Sequence, residues 1–262
     1  MPCQIVAVAS QKGGVGKTTT AVSLAASLNR LGVRALLVDF DPQSNSTGNY
    51  GVTKKDIKAD VYDLLTQRAN PAEAVVHTKY GDIIPATIGL VGAEISLVSE
   101  NDREKRLKAA LDTLRPAYDV IIIDCAPSLG LLMLNGLCAA DSVLIPIQCE
   151  YLALEGLSLT VDTIRNVRRK LNPGLELCGL LFTMYDGRTN LSSQVAREVK
   201  RHFADKIFKT VIPRNVRLSE APSHGMPVQY YDRSSKGAKS YDELAEEFVL
   251  RLRIVPRGKS AN

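Results

Sequence analysis

Short unbroken apolar runs alternate along this chain with stretches whose apolar residues recur at helical spacing. Ile5-Val6-Ala7-Val8-Ala9, Ala35-Leu36-Leu37-Val38, Val120-Ile121-Ile122-Ile123, Ser142-Val143-Leu144-Ile145-Pro146 and Leu177–Thr183 read as buried strands, with a shorter one at Asp82–Ile84. Val22, Leu24, Ala25, Leu28 and Leu31 share one helical face ahead of Gly32, where a helix would stop. Further helices are expected around Val61–Leu65, Val91–Leu97, Leu107–Leu114 and Leu157–Val167. A closing helix from Lys239 to Arg253 would carry Tyr241, Leu244, Ala245, Phe248 and Val249 on one face. Such alternation predicts an α/β fold: a single doubly wound, mostly parallel sheet with helices on both faces. The 262 residues show no internal repeat and no low-complexity linker, so 1–262 is expected to be one domain, with 254–262 a flexible basic tail.

The first strand runs into Ser10-Gln11-Lys12-Gly13-Gly14-Val15-Gly16-Lys17-Thr18-Thr19. A glycine loop opening a helix offers free N–H groups and the positive end of the helix dipole to an anion. Lys17 would sit on the β- and γ-phosphates of a nucleotide, and the Thr18 hydroxyl on Mg²⁺. Against the pattern G-x-x-x-x-G-K-[ST], Gly16, Lys17 and Thr18 fit, but Gln11 replaces the first glycine. Lys12 is a second lysine that a phosphate loop does not need, so the loop is a deviant one.

Two later strands end in carboxylates, at the edge where open α/β sheets bind ligands. Asp39-Phe40-Asp41-Pro42-Gln43 follows one, and Asp124-Cys125-Ala126-Pro127 follows the other. Four apolar residues running into Asp124 is the layout that holds Mg²⁺ beside a phosphate loop, usually through a water. Asp39 fits either a supporting metal-shell role or bracing of the loop, and aspartates capping a turn before Pro42 remain the alternative for this pair.

Charge changes the picture of the second half. Residues 1–150 carry net −2 and residues 151–262 net +7, within a chain of net +5. A basic half points to a polyanion, with DNA, RNA and anionic lipid all open on composition alone. Arg165, Arg168, Arg169 and Lys170 cluster at a helix end, where they complement the dipole and stay solvated. The five cysteines are scattered without a C-x-x-C pair, which suggests neither a disulfide framework nor a zinc site. No apolar run approaches bilayer length, and Met1-Pro2-Cys3-Gln4 does not open an export signal, so a cytoplasmic protein is expected.

Lys12-Gly13-Gly14-Val15-Gly16-Lys17-Thr18 resembles the signature-lysine loop of the partition and cell-division ATPases, P-loop NTPases with a deviant Walker A motif. Three further segments, Gln148–Leu157, Thr183–Asn190 and Val211–Ser223, resemble the chromosomal ParA/Soj proteins, and the likeness extends from about Ile5 to Phe248. The resemblance implies an ATPase that uses ATP and Mg²⁺, forms a homodimer on ATP, binds DNA without sequence preference and is released after a ParB-like activator stimulates hydrolysis. It implies a cytoplasmic, nucleoid-associated protein that does not bind membrane. Lys12 would reach the nucleotide of the second protomer, with Gly13 through Thr19 forming the phosphate site. Asp41 would orient the attacking water, as the later aspartate of Asp41-Pro42-Gln43 does in the family. Pro213 and Asn215 match the adenine-contacting turn, with Met184 as an apolar wall, while Arg188 and Arg217 match arginines that contact DNA. The family commonly has proline where Ala126 stands, a departure that leaves Asp124 untouched.

Three other functions share parts of these motifs. A MinD-like membrane ATPase would end in a basic amphipathic helix, and Val255-Pro256-Arg257-Gly258-Lys259 is too short and broken for that. An iron–sulfur reductase would need a second cysteine to partner Cys125. A nucleotide-gated regulator, for example of a replication initiator, uses the same residues and stays open.

Overall fold

In the computed structural model, which describes residues 2–150 and 153–255, seven strands form one sheet. They are β1 (Gln4–Val8), β2 (Ala35–Phe40), β3 (Val76–Thr78), β4 (Gly81–Ile84), β5 (Val120–Cys125), β6 (Ser142–Gln148) and β7 (Glu176–Thr183). The order is β3-β4-β2-β5-β1-β6-β7, parallel throughout except for β3, which pairs antiparallel with β4 at one edge. The helices are α1 (Lys17–Arg30), α2 (Asn45–Asn49), α3 (Val61–Leu65), α4 (Ala93–Ser96), α5 (Arg106–Leu114), α6 (Leu131–Ala139), α7 (Ala153–Lys170), α8 (Asn190–Phe203), α9 (Val216–Glu220), α10 (Val228–Tyr231) and α11 (Lys236–Leu252).

The strands are apolar on both sides because both sides are covered. Ile5, Ala7, Leu36, Val38, Ile121 and Ile123 pack into one core with α3, α5, α6, α7 and α8. Their neighbours Val6, Val8, Leu37 and Ile122 pack into a second core with α1 and α11, including Leu24, Leu28, Tyr241, Leu244 and Phe248. This period-2 division between two cores is what a doubly wound sheet requires. The chain leaves β1 through α1 toward β2 on one side, and returns through β5 and α6 to β6 on the other. The strand order therefore reverses at the carboxyl end of β1, where a crevice opens.

Some expected elements change shape. Helix α1 ends at Arg30, so Leu31 becomes its cap and is 36% exposed instead of joining the core face. The helix expected over Val91–Leu97 is a 3₁₀ turn, Ile88–Gly92, followed by the single turn of α4. Only Leu90, Ala93 and Leu97 of this stretch face the core. Helix α7 starts at Ala153 and reaches Lys170, longer than the expected Leu157–Val167. Of the expected tail, 256–262 lies outside the described residues, as do Tyr151 and Leu152 of the 148–157 segment.

Candidate functional site

The β1–α1 loop takes the shape of a phosphate cradle. Gly14 and Gly16 have φ of 72° and 85°, left-handed values that glycine adopts without strain. A Cβ at Gly13 or Gly14 would meet no atom within 4 Å, so the backbone there fronts open space. Thr183, at the end of β7, donates from Oγ1 to the Val15 carbonyl at 2.8 Å and fixes the back of the loop. Gln11, in place of the missing glycine, ties the loop to α7. Its Nε2 donates to the Leu159 carbonyl at 3.0 Å and to Thr163 Oγ1 at 2.7 Å, and its N–H to Thr160 Oγ1.

A cleft of about 420 Å³ opens above this loop. Gly13, Gly14, Gly16, Lys17, Thr18 and Thr19 line it, with Asp41 and Pro127 among its walls, facing Met184, Pro213 and Asn215. The expected residues from four distant parts of the chain thus meet in one crevice. Lys17 is 7% exposed and donates from Nζ to the Lys12 carbonyl at 3.0 Å. Burial lowers its pKa, opposed by the charges of Asp124 and Asp41. An anion in the cleft would remove that penalty.

The three aspartates differ in what engages them. Asp39 and Asp124 are register partners on β2 and β5, and both are buried. Asp39 accepts from the Thr47 N–H at 2.8 Å, from Thr47 Oγ1 at 2.7 Å and from the Asp41 N–H at 3.3 Å. Those bonds brace the 41–47 loop. Asp124 Oδ2 accepts from Ser46 Oγ at 2.8 Å, while its buried Oδ1 has no hydrogen-bond partner among the described residues. An orphaned buried carboxylate oxygen is costly unless something positive reaches it. Among the described residues no cluster of three or more His, Cys, Asp or Glu could hold a metal alone. A cation with few protein ligands, completed by phosphate and water, fits that donor set. Asp41 Oδ1 accepts from the Gln43 N–H at 2.9 Å, and its side chain borders the cleft.

Burial, reinforced by Asp124, raises the Asp39 pKa to about 7; burial also raises Asp124 to about 6, against the hydrogen bond from Ser46. A raised carboxyl contributes stability that is complete below its unfolded value near 3.8 and is lost as pH rises through its folded value. Without ligand, the pair should therefore destabilise the protein progressively as pH climbs from near 3.8 to about 6 for Asp124 and about 7 for Asp39, and no further above that. Thermal melts of Asp124→Asn should show it gaining stability relative to the wild type across that window. A difference independent of pH would contradict this.

Lys12 leaves its own cleft. Its Nζ pairs with Glu150 Oε2 at 3.3 Å, and its stem passes the first turns of α7, where a Cβ at Gly156 would lie 3.4 Å from Lys12 Cβ. Glu150 also takes a short hydrogen bond from the Gln148 side chain. Both members of the pair are partly exposed, at 26% and 49%, so the contact is weak, about 0–1 kcal/mol, and Nζ is readily released.

The far wall joins two segments. Met184 has φ of 47°, a left-handed value that is strained for a residue with a Cβ. Asn215 caps α9 by accepting from the Arg217 N–H at 3.0 Å. Arg188 is paired with Asp186, and Arg217 with Glu220 and Asp232, all at the surface. Ser46 and Thr47, which hold two of the aspartates, do not stand out in the sequence. Their only mark is a polar Asn45-Ser46-Thr47 run that turns out to be buried in part. Cys125 is buried, which raises its thiol pKa, and so it serves as neutral filling.

Residues 3–177 match the family described as AAA domain. The chain is 56% identical over 246 residues to the sporulation initiation inhibitor protein Soj of Bacillus subtilis, covering 93% of this chain and 97% of that one. It is 50% identical to the chromosome-partitioning ATPase Soj of Treponema pallidum, covering 92% and 95%. Among solved structures it resembles cobyrinic acid a,c-diamide synthase from Mycobacterium smegmatis with bound ATP analog and magnesium, at 40% identity and a TM-score of 0.84, covering 96% of each chain.

Proposed function

The chain belongs to the Soj/ParA family of chromosome-partitioning ATPases, and we propose that it is an ATP-driven DNA-segregation switch whose two protomers close on each other around nucleotide. The observation that carries this reading is the position of Lys12. The loop supplies a complete phosphate cradle without it, and its ammonium lies outside the cleft on a weak surface pair. A lysine so placed is available to a triphosphate on a facing subunit.

Within one cleft, the Gly13–Thr19 backbone holds the phosphates and Lys17 neutralises the β- and γ-oxygens. Met184, Pro213 and Asn215 hold the base. The Thr18 hydroxyl and Asp124 would hold Mg²⁺, which would supply charge neutralisation at the phosphates, while Asp39 braces the loop behind them. Asp41 orients the attacking water. Phosphoryl transfer needs little covalent chemistry from the protein, so placing water and charge is most of the work. Closure also dries the cleft and strengthens each of these contacts.

Arg188 and Arg217 are the proposed DNA contacts. Arginine's fork pairs with phosphate oxygens without reading sequence, and dimerisation doubles a weak patch into a bivalent one. Hydrolysis, stimulated by a ParB-like partner, returns the protein to monomer and releases the DNA. The whole chain acts as one P-loop domain, cytoplasmic and nucleoid-associated. Among the described residues no helix is long and apolar enough to cross a membrane. The same residues would serve a nucleotide-gated contact with a replication initiator.

Arg217→Ala tests the DNA half of this reading. Its unstimulated ATP turnover should stay near that of the wild type, while DNA affinity falls. The log–log salt slope should become shallower by about 0.9 for each phosphate that the variant no longer neutralises on duplex DNA. Unchanged affinity and slope would remove Arg217 from the interface.

A further inference from the structure

The turn after β7 and the loop into α9 form one wall of the cleft, and they are stitched together. The Tyr185 N–H donates to the Ile212 carbonyl at 3.0 Å, and the Arg214 N–H to the Tyr185 carbonyl at 3.4 Å. Tyr185 and Pro213 form an isolated parallel bridge. Arg188 follows the lining residue Met184 in the first segment, Arg217 lies between the lining residues Asn215 and Leu218 in the second, and carboxylates hold both. Arg188 forks onto Asp186, Nε to Oδ1 at 2.9 Å and Nη2 to Oδ2 at 2.7 Å. Arg217 reaches Glu220 Oε2 through Nη1 at 2.7 Å and Asp232 Oδ2 through Nε at 3.3 Å.

The carboxylates are themselves positioned. Asp186 Oδ1 accepts the Arg188 N–H at 3.1 Å, and Glu220 Oε2 accepts from the Tyr231 hydroxyl at 3.1 Å. Asp232 Oδ1 accepts the N–H groups of Ser234 and Ser235, both at 3.1 Å. The Asp186 fork presents two oxygens to a guanidinium, as a phosphodiester does.

We propose that Asp186, and Glu220 together with Asp232, are built-in substitutes for phosphate that occupy Arg188 and Arg217, so that a nucleic-acid backbone binds only by opening these clasps. The proposal rests on the reading of both arginines as DNA contacts. A phosphate arriving at either one must displace a carboxylate rather than water. The net gain from a single contact is then small, and a lone protomer holds DNA poorly. A dimer presents two copies of each arginine on one duplex, and its bivalence restores the affinity. The clasps also sit on the nucleotide wall, because a base seated against Met184 and Pro213 bears on the two segments that carry them. The Arg188 pairing holds the Asp186 carboxyl down to about 2, so this clasp stays charged at any working pH.

The test uses the full chain loaded with a non-hydrolysable ATP analogue and titrated into a labelled duplex of arbitrary sequence. Asp186→Asn and Glu220→Gln each keep an oxygen for the N–H or hydroxyl that their carboxylate accepts, so the local turns survive. Asp162→Asn, beside Arg165 on α7, makes the same charge change at a surface pair away from the clasps. Each clasp variant should bind DNA roughly two- to fivefold more tightly per released arginine, or about four- to twenty-five-fold in a dimer that engages both copies. Asp162→Asn should change affinity by less than about twofold. Clasp variants matching the wild type, or matched by Asp162→Asn, would overturn the proposal. A wild type that binds no duplex in any nucleotide state would instead overturn the DNA reading, and the clasps with it.

Discussion

Asp41→Ala is expected to lose about 10²- to 10⁴-fold in ATP hydrolysis, the range a positioned acid or base supplies, while still binding ATP, dimerising and remaining on DNA. The carboxylate borders the cleft and the phosphate loop does not depend on it. Its side chain accepts from the Gln43 N–H, within its own turn. Loss of a water-orienting group leaves ground-state binding intact, so the variant should accumulate in the state that hydrolysis normally ends. Single-turnover hydrolysis beside nucleotide-binding titrations separates the two effects. Asp41→Asn keeps an acceptor for Gln43 and isolates the charge from the turn. If Asp41→Ala fails to bind nucleotide, the residue shapes the loop and the catalytic assignment is wrong.

Lys12→Ala should be the more drastic variant. A hydrogen bond to a charged group contributes about 1.5–3 kcal/mol, and two-fold symmetry places two such contacts in one dimer. Removing both costs about 3–6 kcal/mol, or about 10²- to 10⁴-fold in dimer dissociation. Nucleotide affinity of the monomer should change little, because Lys12 does not line its own cleft. The rival explanation is that Lys12 matters only by pairing with Glu150 to hold the start of α7. Glu150→Gln breaks that pair and leaves the ammonium free. It should dimerise at least as well as the wild type, whereas a purely structural pair would make both variants fail alike.

Much of this site is legible in the sequence for a physical reason. Strands buried on both faces are uninterrupted apolar runs, so Asp39 and Asp124 stand out where those runs stop. Backbone that must adopt positive φ admits few residues other than glycine, which makes Gly14 and Gly16 conspicuous in the amino-acid pattern itself. Helix α6 is hidden because Leu131–Ala139 is apolar on nearly every side and shows no helical period. The role of Gln11 is hidden because its partners on α7 lie about 150 positions away along the chain. The pairing of Arg217 is visible in part. Glu220 lies one helical turn ahead, but Asp232 comes from beyond α10. Ile88, Val91, Ile95 and Val98 recur at near-helical spacing and yet are exposed. Period alone does not say which side is buried.

Nucleotide held between two protomers, in this reading, switches DNA binding on. Measuring particle mass and duplex binding on one sample with no nucleotide, with ADP, and with a non-hydrolysable ATP analogue tests that switch most directly. A DNA-bound dimer should form with the analogue alone, and the other states should hold monomers free of DNA. A dimer on DNA without nucleotide, or a monomer on DNA with the analogue, would contradict it.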